Sequence, residues 1–319
     1  MLLSLWIISA PAEGAEPEKR TETNAEGQIT SETWLDTEDR MTAGPDGYAR
    51  VEYEYEPKKN RLCKVTYLDA EGNLFFCEKA GYAVYERVLE KNRFVREQYY
   101  GADGKLCAGP QGYARVEMSY SSGDKPSRLA YFDTEGNPYR MPGGYYSVKR
   151  EYAPKGRIHA EAYFDENGKP CCHEEGYHII RTNYRGDGKI NARFYCDLKG
   201  KWMMHPTLGY AFAEYYHRGG RLENVRYYNP RKKLIDCAAG YAEIRYRYNE
   251  EKQLIGVRYL HADETPALGP EGFYHAVYSY AEGERSEAHY YDTEEKEMDP
   301  AGLNLDAQTP LKEEAEAEQ

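Results

Sequence analysis

The stretch that decides the fold is Gly47-Tyr48-Ala49-Arg50-Val51-Glu52-Tyr53-Glu54-Tyr55. From Ala49 onward, apolar or aromatic side chains alternate with charged ones, which is the period-two pattern of a β-strand with one buried face. The same phase returns at Ala114-Arg115-Val116 and at Ala242-Glu243-Ile244. A polar break such as Glu56-Pro57-Lys58-Lys59-Asn60 follows the strand. The pattern therefore predicts a β-hairpin.

The hairpin repeats along the chain. An aromatic marker residue, usually followed by an aromatic or aliphatic residue and then Asp, recurs every 31 to 33 residues, at Trp34, Tyr67, Tyr99, Tyr131, Tyr163, Tyr195, Tyr227, Tyr259 and Tyr290. Gly-Tyr or Gly-Phe dipeptides recur in step with it, at Gly47, Gly81, Gly112, Gly144, Gly176, Gly209, Gly240 and Gly272. A fixed period of this length is typical of solenoids and linear arrays. We therefore predict an all-β fold, an elongated, solenoid-like array of about eight 32-residue β-hairpin repeats.

The sequence as a whole is expected to divide into four segments. Residues 1–15 are predicted to be a signal peptide or its remnant, because an apolar run ends in Ala10-Pro11-Ala12. Residues 16–30 are expected to form a polar linker, residues 31–300 the tandem repeats, and residues 301–319 an acidic disordered tail. No run reaches the ~18 apolar residues of a membrane span, so no transmembrane segment is predicted. These features favour a bacterial protein that is secreted or held at the cell surface.

Composition sets the kind of core and excludes some partners. The chain has 33 tyrosines and a net charge of -12. A tyrosine can bury its ring and keep its hydroxyl near water, so we expect aromatic ladders in place of a thick aliphatic core. The acidic balance argues against nucleic acid or anionic lipid as a partner. Among the seven cysteines, Cys107 and Cys171 occupy a slot that is Phe75 or Met203 in other copies, so half-buried free thiols are favoured over a disulfide framework.

Asp-x-x-Gly turns follow the second strand of several repeats, beginning at Asp69, Asp133, Asp165 and Asp197. Repeated aspartates could ligate calcium, but the same slot is Gly101 or Asn229 elsewhere, which favours capping of the turn backbone. The Cys171-Cys172-His173 cluster, with His178 nearby, lacks the two-residue spacing usual for zinc. We therefore predict neither a metal nor a cofactor.

Two further motifs bear on function. Arg185-Gly186-Asp187 falls at a predicted hairpin tip, where an adhesive tripeptide would be displayed, but other copies fill the same tip with ordinary turn residues. The chain has no Gly-x-Ser-x-Gly, no phosphate-binding glycine loop and no His-Glu-x-x-His. Because an active site needs a unique place and the repeats offer eight near-equal ones, we predict a protein that is not an enzyme.

The unit Tyr163-Phe164-Asp165-Glu166-Asn167-Gly168-Lys169-Pro170, combined with the Gly112-Tyr113-Ala114-Arg115-Val116 pattern, resembles bacterial WG-type tandem repeats. The Tyr-x-Asp-x-x-Gly core is also similar to YD repeats of RHS-type proteins, and less closely to cell-wall-binding repeats. This chain lacks the Trp-Gly dipeptide of WG repeats and the RHS core and toxin domain. The resemblance implies a surface or secreted β-hairpin array and transfers no ligand.

These observations lead to two functional hypotheses. The first is a non-enzymatic extracellular repeat protein that binds glycan or cell-wall polymer by stacking sugars on exposed rings. The rings expected to bind are Tyr48, Tyr82, Tyr113, Tyr145, Tyr177, Tyr210 and Tyr241. The alternative is a structural stalk or protein-interaction scaffold at the cell surface without a small ligand. The partners would be cell-wall polysaccharide in the first case and surface proteins in the second.

Overall fold

A computed structural model describes residues 16–307 and 309–310 of the 319-residue chain. The predicted signal peptide, residues 1–15, lies outside the described residues, as do Gln308 and residues 311–319 of the predicted tail. The chain divides into two compact units, the first ending at Met141 and the second beginning at Pro142. Each unit is built of antiparallel β-strands joined in hairpins, so the predicted all-β fold is confirmed.

Unit 1 contains eight strands, and each described strand pairs antiparallel with the next along the chain. Its strands are β1 Glu18–Thr23, β2 Ile29–Leu35, β3 Arg50–Tyr55, β4 Leu62–Leu68, β5 Val84–Glu90, β6 Arg93–Tyr100, β7 Arg115–Ser119 and β8 Arg128–Phe132. The long pairings lie within hairpins, such as β3–β4, and shorter three-residue pairings join one hairpin to the next, as between β4 and β5.

Unit 2 follows the same order with eleven strands. They are β9 Ser147–Tyr152, β10 Ile158–Phe164, β11 Ile179–Tyr184, β12 Ile190–Cys196, β13 Phe212–Arg218, β14 Arg221–Tyr228, β15 Glu243–Tyr248, β16 Leu254–Leu260, β17 His275–Ala281, β18 Glu284–Tyr291 and the short β19 Glu297–Met298. Two single-turn 3₁₀ helices, Pro154–Gly156 and Pro300–Gly302, are the described helical segments. Each strand pairs antiparallel with the next, from β9 to β19.

The hairpins β3–β4 to β17–β18 match the predicted repeats, and an isolated bridge such as Leu68↔Leu74 follows the second strand. The linker prediction for residues 16–30 is wrong, because Glu18–Thr23 forms β1 and pairs with β2. All six residues of β1 are exposed, so no hydrophobic periodicity reveals this strand in the sequence. Ion pairs such as Lys19 Nζ to Glu32 Oε1, 2.6 Å, accompany its pairing.

Most of the described part of the predicted disordered tail, residues 301–307, is in fact ordered. Residues 301–307 continue from the Pro300–Gly302 turn, and Leu303 packs against the aromatic core of unit 2. The backbone N–H of Asn304 donates to the carbonyl of Glu271 at 2.9 Å. This portion therefore closes the last hairpin and is not part of a disordered tail.

Strand register gives each sheet two distinct faces. Directly opposed residues share a face, so Val51↔Tyr67 and Tyr53↔Val65 lie on one side, which we call the ladder face because the marker tyrosines lie there. Arg50↔Leu68 and Glu52↔Thr66 lie on the other side, which we call the opposite face. The same assignment holds in every hairpin, because the register repeats from copy to copy.

The Asp-x-x-Gly turns are held by their own aspartates. In the turn at Asp69, Oδ1 accepts the backbone N–H groups of Glu71 and Asn73 at 3.0 and 2.7 Å. The hydrogen bond from Asn73 is the main reason why the pKa of Asp69 is lowered. Asn229 accepts the corresponding pair of N–H groups at 2.9 and 3.1 Å. The predicted capping role of these side chains is confirmed.

Candidate functional site

The tyrosines form a continuous ladder on the ladder face. In unit 1, the Gly-Tyr rings alternate with the marker rings, and neighbouring ring centroids lie 5.0 to 5.9 Å apart, along Tyr48, Tyr67, Tyr82, Tyr99, Tyr113 and Tyr131. The rings are tilted or edge-on to one another, which is the favourable geometry for aromatic pairs. The two motifs that define the repeat therefore supply the two alternating members of one packing element.

Unit 2 continues the same alternation. Its ring centroids lie 4.7 to 6.0 Å apart, along Tyr145, Tyr163, Tyr177, Tyr195, Tyr210, Tyr227, Tyr241, Tyr259, Phe273 and Tyr290. Val225 and Ile244 are fully buried and belong to the same core cluster as the later of these rings. The core of this unit is therefore built from aromatic rings and aliphatic side chains that share the ladder face.

The expectation that the seven Gly-Tyr rings are exposed is wrong for three of them, which are buried. Three of them are at most 6% exposed, and the other four are half-buried. The buried rings are Tyr113, Tyr177 and Tyr241, and the half-buried rings are Tyr48, Tyr82, Tyr145 and Tyr210. A sugar needs one open face of a ring, and the ladder occupies these faces with other rings.

The error has a clear structural cause. Strand alternation assigns Tyr113 to the face of Arg115, opposite Ala114 and Val116. The regular strand begins only at Arg115, and Gly112 precedes the tyrosine with a left-handed φ of 89°. The chain is not extended at this point, so the alternation does not reach back to Tyr113, and its ring turns onto the ladder face.

Tyrosine hydroxyls at the end of the first strand have a second structural role. The hydroxyl of Tyr120 donates to the carbonyl of Phe94 in the preceding hairpin at 2.6 Å. Four other copies form the same bond over the same separation of 26 residues, Tyr55 to Ile29, Tyr184 to Ile158, Tyr248 to Leu222 and Tyr280 to Leu254. In these four copies a β-bulge immediately precedes the tyrosine and redirects its side chain. In these five copies the hydroxyl links the hairpin to the preceding one.

Burial also shifts the titration of the ladder. Desolvation raises the pKa of Tyr53 and of Tyr278 to about 12, and it raises the pKa values of Tyr113 and Tyr259 further. The phenols therefore stay protonated over the physiological pH range. No nucleophile or general base is created by these shifts.

The other sequence motifs belong to the same framework. The ring of His173 stacks on Tyr177 with centroids 5.2 Å apart, and Nδ1 of His178 lies 2.8 Å from the carbonyl of Cys171. In residues 16–307 and 309–310, no three His, Cys, Asp or Glu side chains come together so that they could hold a metal ion. The Arg185-Gly186-Asp187 segment does lie at a hairpin tip, where Nε of Arg185 contacts Asp187 at 3.2 Å.

On the opposite face of unit 1, charged side chains are largely paired with each other. Nε of Arg50 contacts Glu52 at 2.9 Å, and Nζ of Lys64 contacts Glu54 at 3.1 Å. Half-exposed ion pairs of this kind contribute little to stability. Their side chains are accessible, so this face is available to a partner.

The opposite face of unit 2 also carries a concave site. A cavity of about 330 Å³ lies over Gly256 in β16 and is bordered by Arg245, Arg247, Arg258 and Val277. None of the residues that line it has a carboxylate. We call this feature the arginine hollow. The sequence alone does not reveal this hollow, because the hollow is formed by residues of three neighbouring strands.

Next to the hollow lies a patch of aromatic rings on the same face, which we call the aromatic patch. Phe194, Phe212 and Tyr228 stack across three strands, with centroids 5.2 and 4.8 Å apart and interplanar angles of 24° and 11°. Trp202 stacks on Phe194 at 5.1 Å. Tyr216, at 40% exposure, is the most accessible ring of the group.

Comparison with known proteins leaves the family open. No protein-family model matches the chain, and no curated protein matches it. Solved structures with similarity include TcdB2-TccC3 without its hypervariable C-terminal region, with 13% identity and a TM-score of 0.33 over 89% of this chain. TcdB2-TccC3-Cdc42 gives 11% identity and a TM-score of 0.31 over 87% of this chain. A Photorhabdus luminescens Tc holotoxin pore gives 13% identity and a TM-score of 0.30 over 83% of this chain.

This chain spans only 14 to 15% of the length of those chains. Scores and identities this low carry no inference about function. Within the described part of the chain, no helix is long and apolar enough to cross a membrane.

Proposed function

We propose that this chain is a non-catalytic repeat scaffold that binds partner proteins through the opposite face of its sheets. The observation that carries the proposal is the difference in composition between the ladder face and the opposite face. The ladder face is filled by rings that contact one another, whereas the opposite face presents accessible charged side chains such as Glu52 and Glu117. We further propose an extracellular location, which rests on the apolar run of residues 1–12 in the sequence.

Repetition suits this role. Each hairpin presents a similar set of charged positions, so a partner can be held by several weak contacts that act together. Charged rims of this kind fix the orientation and the choice of partner more than they add affinity. Single positions on this face vary between repeats, since the residue opposite Thr66 is Glu52 whereas the residue opposite Arg258 is Arg245. Such variation on a constant framework is typical of binding scaffolds.

A photo-cross-linking experiment tests the proposal. A benzophenone side chain would replace Glu52 or Glu117 in the chain made by its natural host, with Lys58 at an exposed turn as the control. We expect discrete, protease-sensitive adducts from the two opposite-face positions and none from the turn. Equal labelling at all three positions, or no adduct from either opposite-face position, would contradict the scaffold.

The aromatic patch favours a second candidate function, which is glycan binding. Tyr216 and Trp202 offer partly open rings, and Glu214 and Arg226 beside them could hydrogen-bond sugar hydroxyls. Stacking of a sugar on such rings is the same interaction that we expected of the Gly-Tyr rings. If this chain binds cell-wall polymer, the aromatic patch is therefore the better location.

Retention on purified cell walls distinguishes this second candidate. The double variant Trp202→Ala, Tyr216→Ala should lose retention, while Phe132→Ala, which removes an opposite-face ring from unit 1, should keep it. No retention of the unmodified chain, or equal retention of all three proteins, would exclude glycan binding at this patch.

A further inference from the structure

The arginine hollow combines two arrangements that work against the stability of a sheet with two arginines that lack an ion pair within the described chain. Arg245 and Arg258 are directly opposite each other on neighbouring strands, and like charges in this position are destabilising. Gly256 lies in the interior of β16, where glycine weakens a strand. Arg247 and Arg258 form no ion pair with any residue of the described chain, although the protein has a net charge of -12.

Glycine at position 256 creates the space. The same slot, at intervals of 32 residues, carries a side chain in the six preceding hairpins, Lys64, Arg96, Arg128, Ala160, Ala192 and Asn224. The φ of Gly256 is not in the left-handed region, so the backbone does not require glycine here. An added Cβ would lie 3.3 Å from the carbonyl oxygen of Ala276, which is tight, but the corresponding position accepts a Cβ in the other hairpins. The absent side chain leaves the hollow open between Arg247 and Val277, which lie on either side of Gly256 in register.

Some of the basic side chains around the hollow are paired with carboxylates of the described chain and others are not. Arg245 contacts Glu243 at 2.9 Å and Glu264 at 3.7 Å, and Glu243 also contacts Arg226 at 3.1 Å. His275, on the far side, has Glu295 at 3.3 Å. The carboxylates therefore lie outside the lining and hold the rim, while the guanidinium groups of Arg247 and Arg258 remain available to a ligand.

We propose that the arginine hollow binds a carboxylate that is attached to an apolar group, as in an acidic segment of a partner polypeptide. Arginine forks match the two oxygens of a carboxylate, and charge-assisted bonds of this kind are the strong ones. Val277, at 41% exposure, together with Ile255, supplies an apolar wall beside the charges. The volume of about 330 Å³ fits a small group and not a folded domain. This inference rests on the proposed binding role of the opposite face.

Local sequence rules are usually broken where function requires it. A carboxylate held by Arg247 and Arg258 would neutralise positive charge beside Arg245, and an apolar group would fill the space that Gly256 leaves. The ligand thus complements both the charge and the shape of the hollow.

Fluorescence anisotropy with a labelled peptide of alternating Glu and Leu provides the test. We expect saturable binding to the full chain that weakens with added salt. The variant Arg247→Ser, Arg258→Ser should bind about tenfold more weakly or worse, because charge-assisted hydrogen bonds are lost. The variant Arg218→Ser, Arg231→Ser removes the same charge from exposed positions of the same unit and should bind normally.

A second variant keeps both arginines and fills the space. Gly256→Asn, which copies the residue of the preceding hairpin, should fold normally by circular dichroism and lose affinity. Competition against the bound peptide distinguishes a polypeptide carboxylate from a free organic acid. If glutarate displaces the peptide and inorganic phosphate does not, a small organic acid is sufficient for binding. A peptide in which Lys replaces Glu should not bind.

The outcomes separate this inference from the proposed function. Equal binding by the two double-arginine variants, or no saturable binding by the unmodified chain, would overturn the arginine hollow as a ligand site. Cross-links at Glu52 and Glu117 would in that case still support the scaffold. Peptide binding without any such cross-link would overturn the scaffold and leave the hollow as an isolated site.

Discussion

At the scale of single residues, the tyrosine excess is explained by packing. Tyr113 is 6% exposed and lies between Tyr99 and Tyr131 in the ladder. Its ring is a part of the core and cannot stack on a ligand. The general consequence is that a tyrosine-rich surface cannot be inferred from a tyrosine-rich sequence, because repeats can bury these rings against one another.

We expect Tyr113→Ala to lower the free energy of unfolding by ~3–5 kcal/mol, as for other buried aromatic residues replaced by alanine. Tyr216→Ala, at the exposed ring of the aromatic patch, should cost about 1 kcal/mol or less. Urea unfolding followed by circular dichroism measures both values. If Tyr113→Ala proved as mild as Tyr216→Ala, the ladder would not be the core.

The hydroxyl groups make a separate contribution that a conservative substitution isolates. Tyr120→Phe removes the bond to the carbonyl of Phe94 and keeps the ring, so we expect a loss of about 0.5–1.5 kcal/mol. Tyr139→Phe provides the control in the same unit, since its hydroxyl forms no hydrogen bond with the described residues. Equal stability of the two variants in urea unfolding would show that the bond between hairpins contributes nothing.

At the scale of the hairpin, each turn depends on one side-chain oxygen. Oδ1 of Asp197 accepts the N–H groups of Lys199 and Lys201 at 2.8 and 2.9 Å, and Asn229 performs the same task one repeat later. We therefore expect Asp197→Ala to lower the free energy of unfolding, because two backbone N–H groups lose their acceptor, and Asp197→Asn to cost much less. Thermal unfolding of the two variants measures the difference, and a loss as large for Asn as for Ala would point to charge and not to capping.

The strands and turns were predictable because their signals are local and repeated. The alternation after Ala49 and the 32-residue interval between markers such as Tyr67 and Tyr99 were sufficient to predict the hairpins. The direction of the Gly-Tyr rings was not predictable, because it depends on the left-handed glycine before each strand. The strand Glu18–Thr23 escaped prediction since its pairing partner, not its own hydrophobicity, makes it a strand.

One part of the arginine hollow could be predicted from the sequence and another part could not. Gly256 is visible as the one glycine in a slot that otherwise carries Lys, Arg, Ala or Asn in the preceding copies. The opposition of Arg245 and Arg258 becomes apparent only with the register of β15 and β16. A repeat alignment could therefore have marked the position, whereas the charge arrangement required the fold.

At the scale of the whole molecule, the buried phenols make stability depend on alkaline pH. A folded-state pKa of about 12 for Tyr53 and Tyr278, against 10.0 for an unperturbed phenol, means that the folded chain holds protons that the unfolded chain releases. The contribution of these two tyrosines to the free energy of unfolding is therefore fully present below pH 10 and is lost as the pH rises toward 12. We expect tyrosinate absorbance and loss of β circular dichroism to rise together in that range. Tyrosinate formation well before unfolding would show that the ladder is open to solvent.

The repeat is also the unit of stability, and a pair of deletions within unit 2 tests this property. Each hairpin contacts mainly its neighbours, so deleting residues 197–228, one complete 32-residue period, joins Cys196 to Asn229 with the ladder and the register preserved. We expect this shorter protein to fold, with somewhat lower stability and the same β circular dichroism per residue. Deleting residues 221–236, half a period, removes β14 alone, reverses the direction of every later strand relative to β12, and exposes unpaired strand edges. This second protein should aggregate on expression, as judged by size-exclusion chromatography.

If both deletions were tolerated equally, the strand and not the 32-residue hairpin would be the structural unit. If neither were tolerated, stability would depend on contacts that reach beyond neighbouring hairpins.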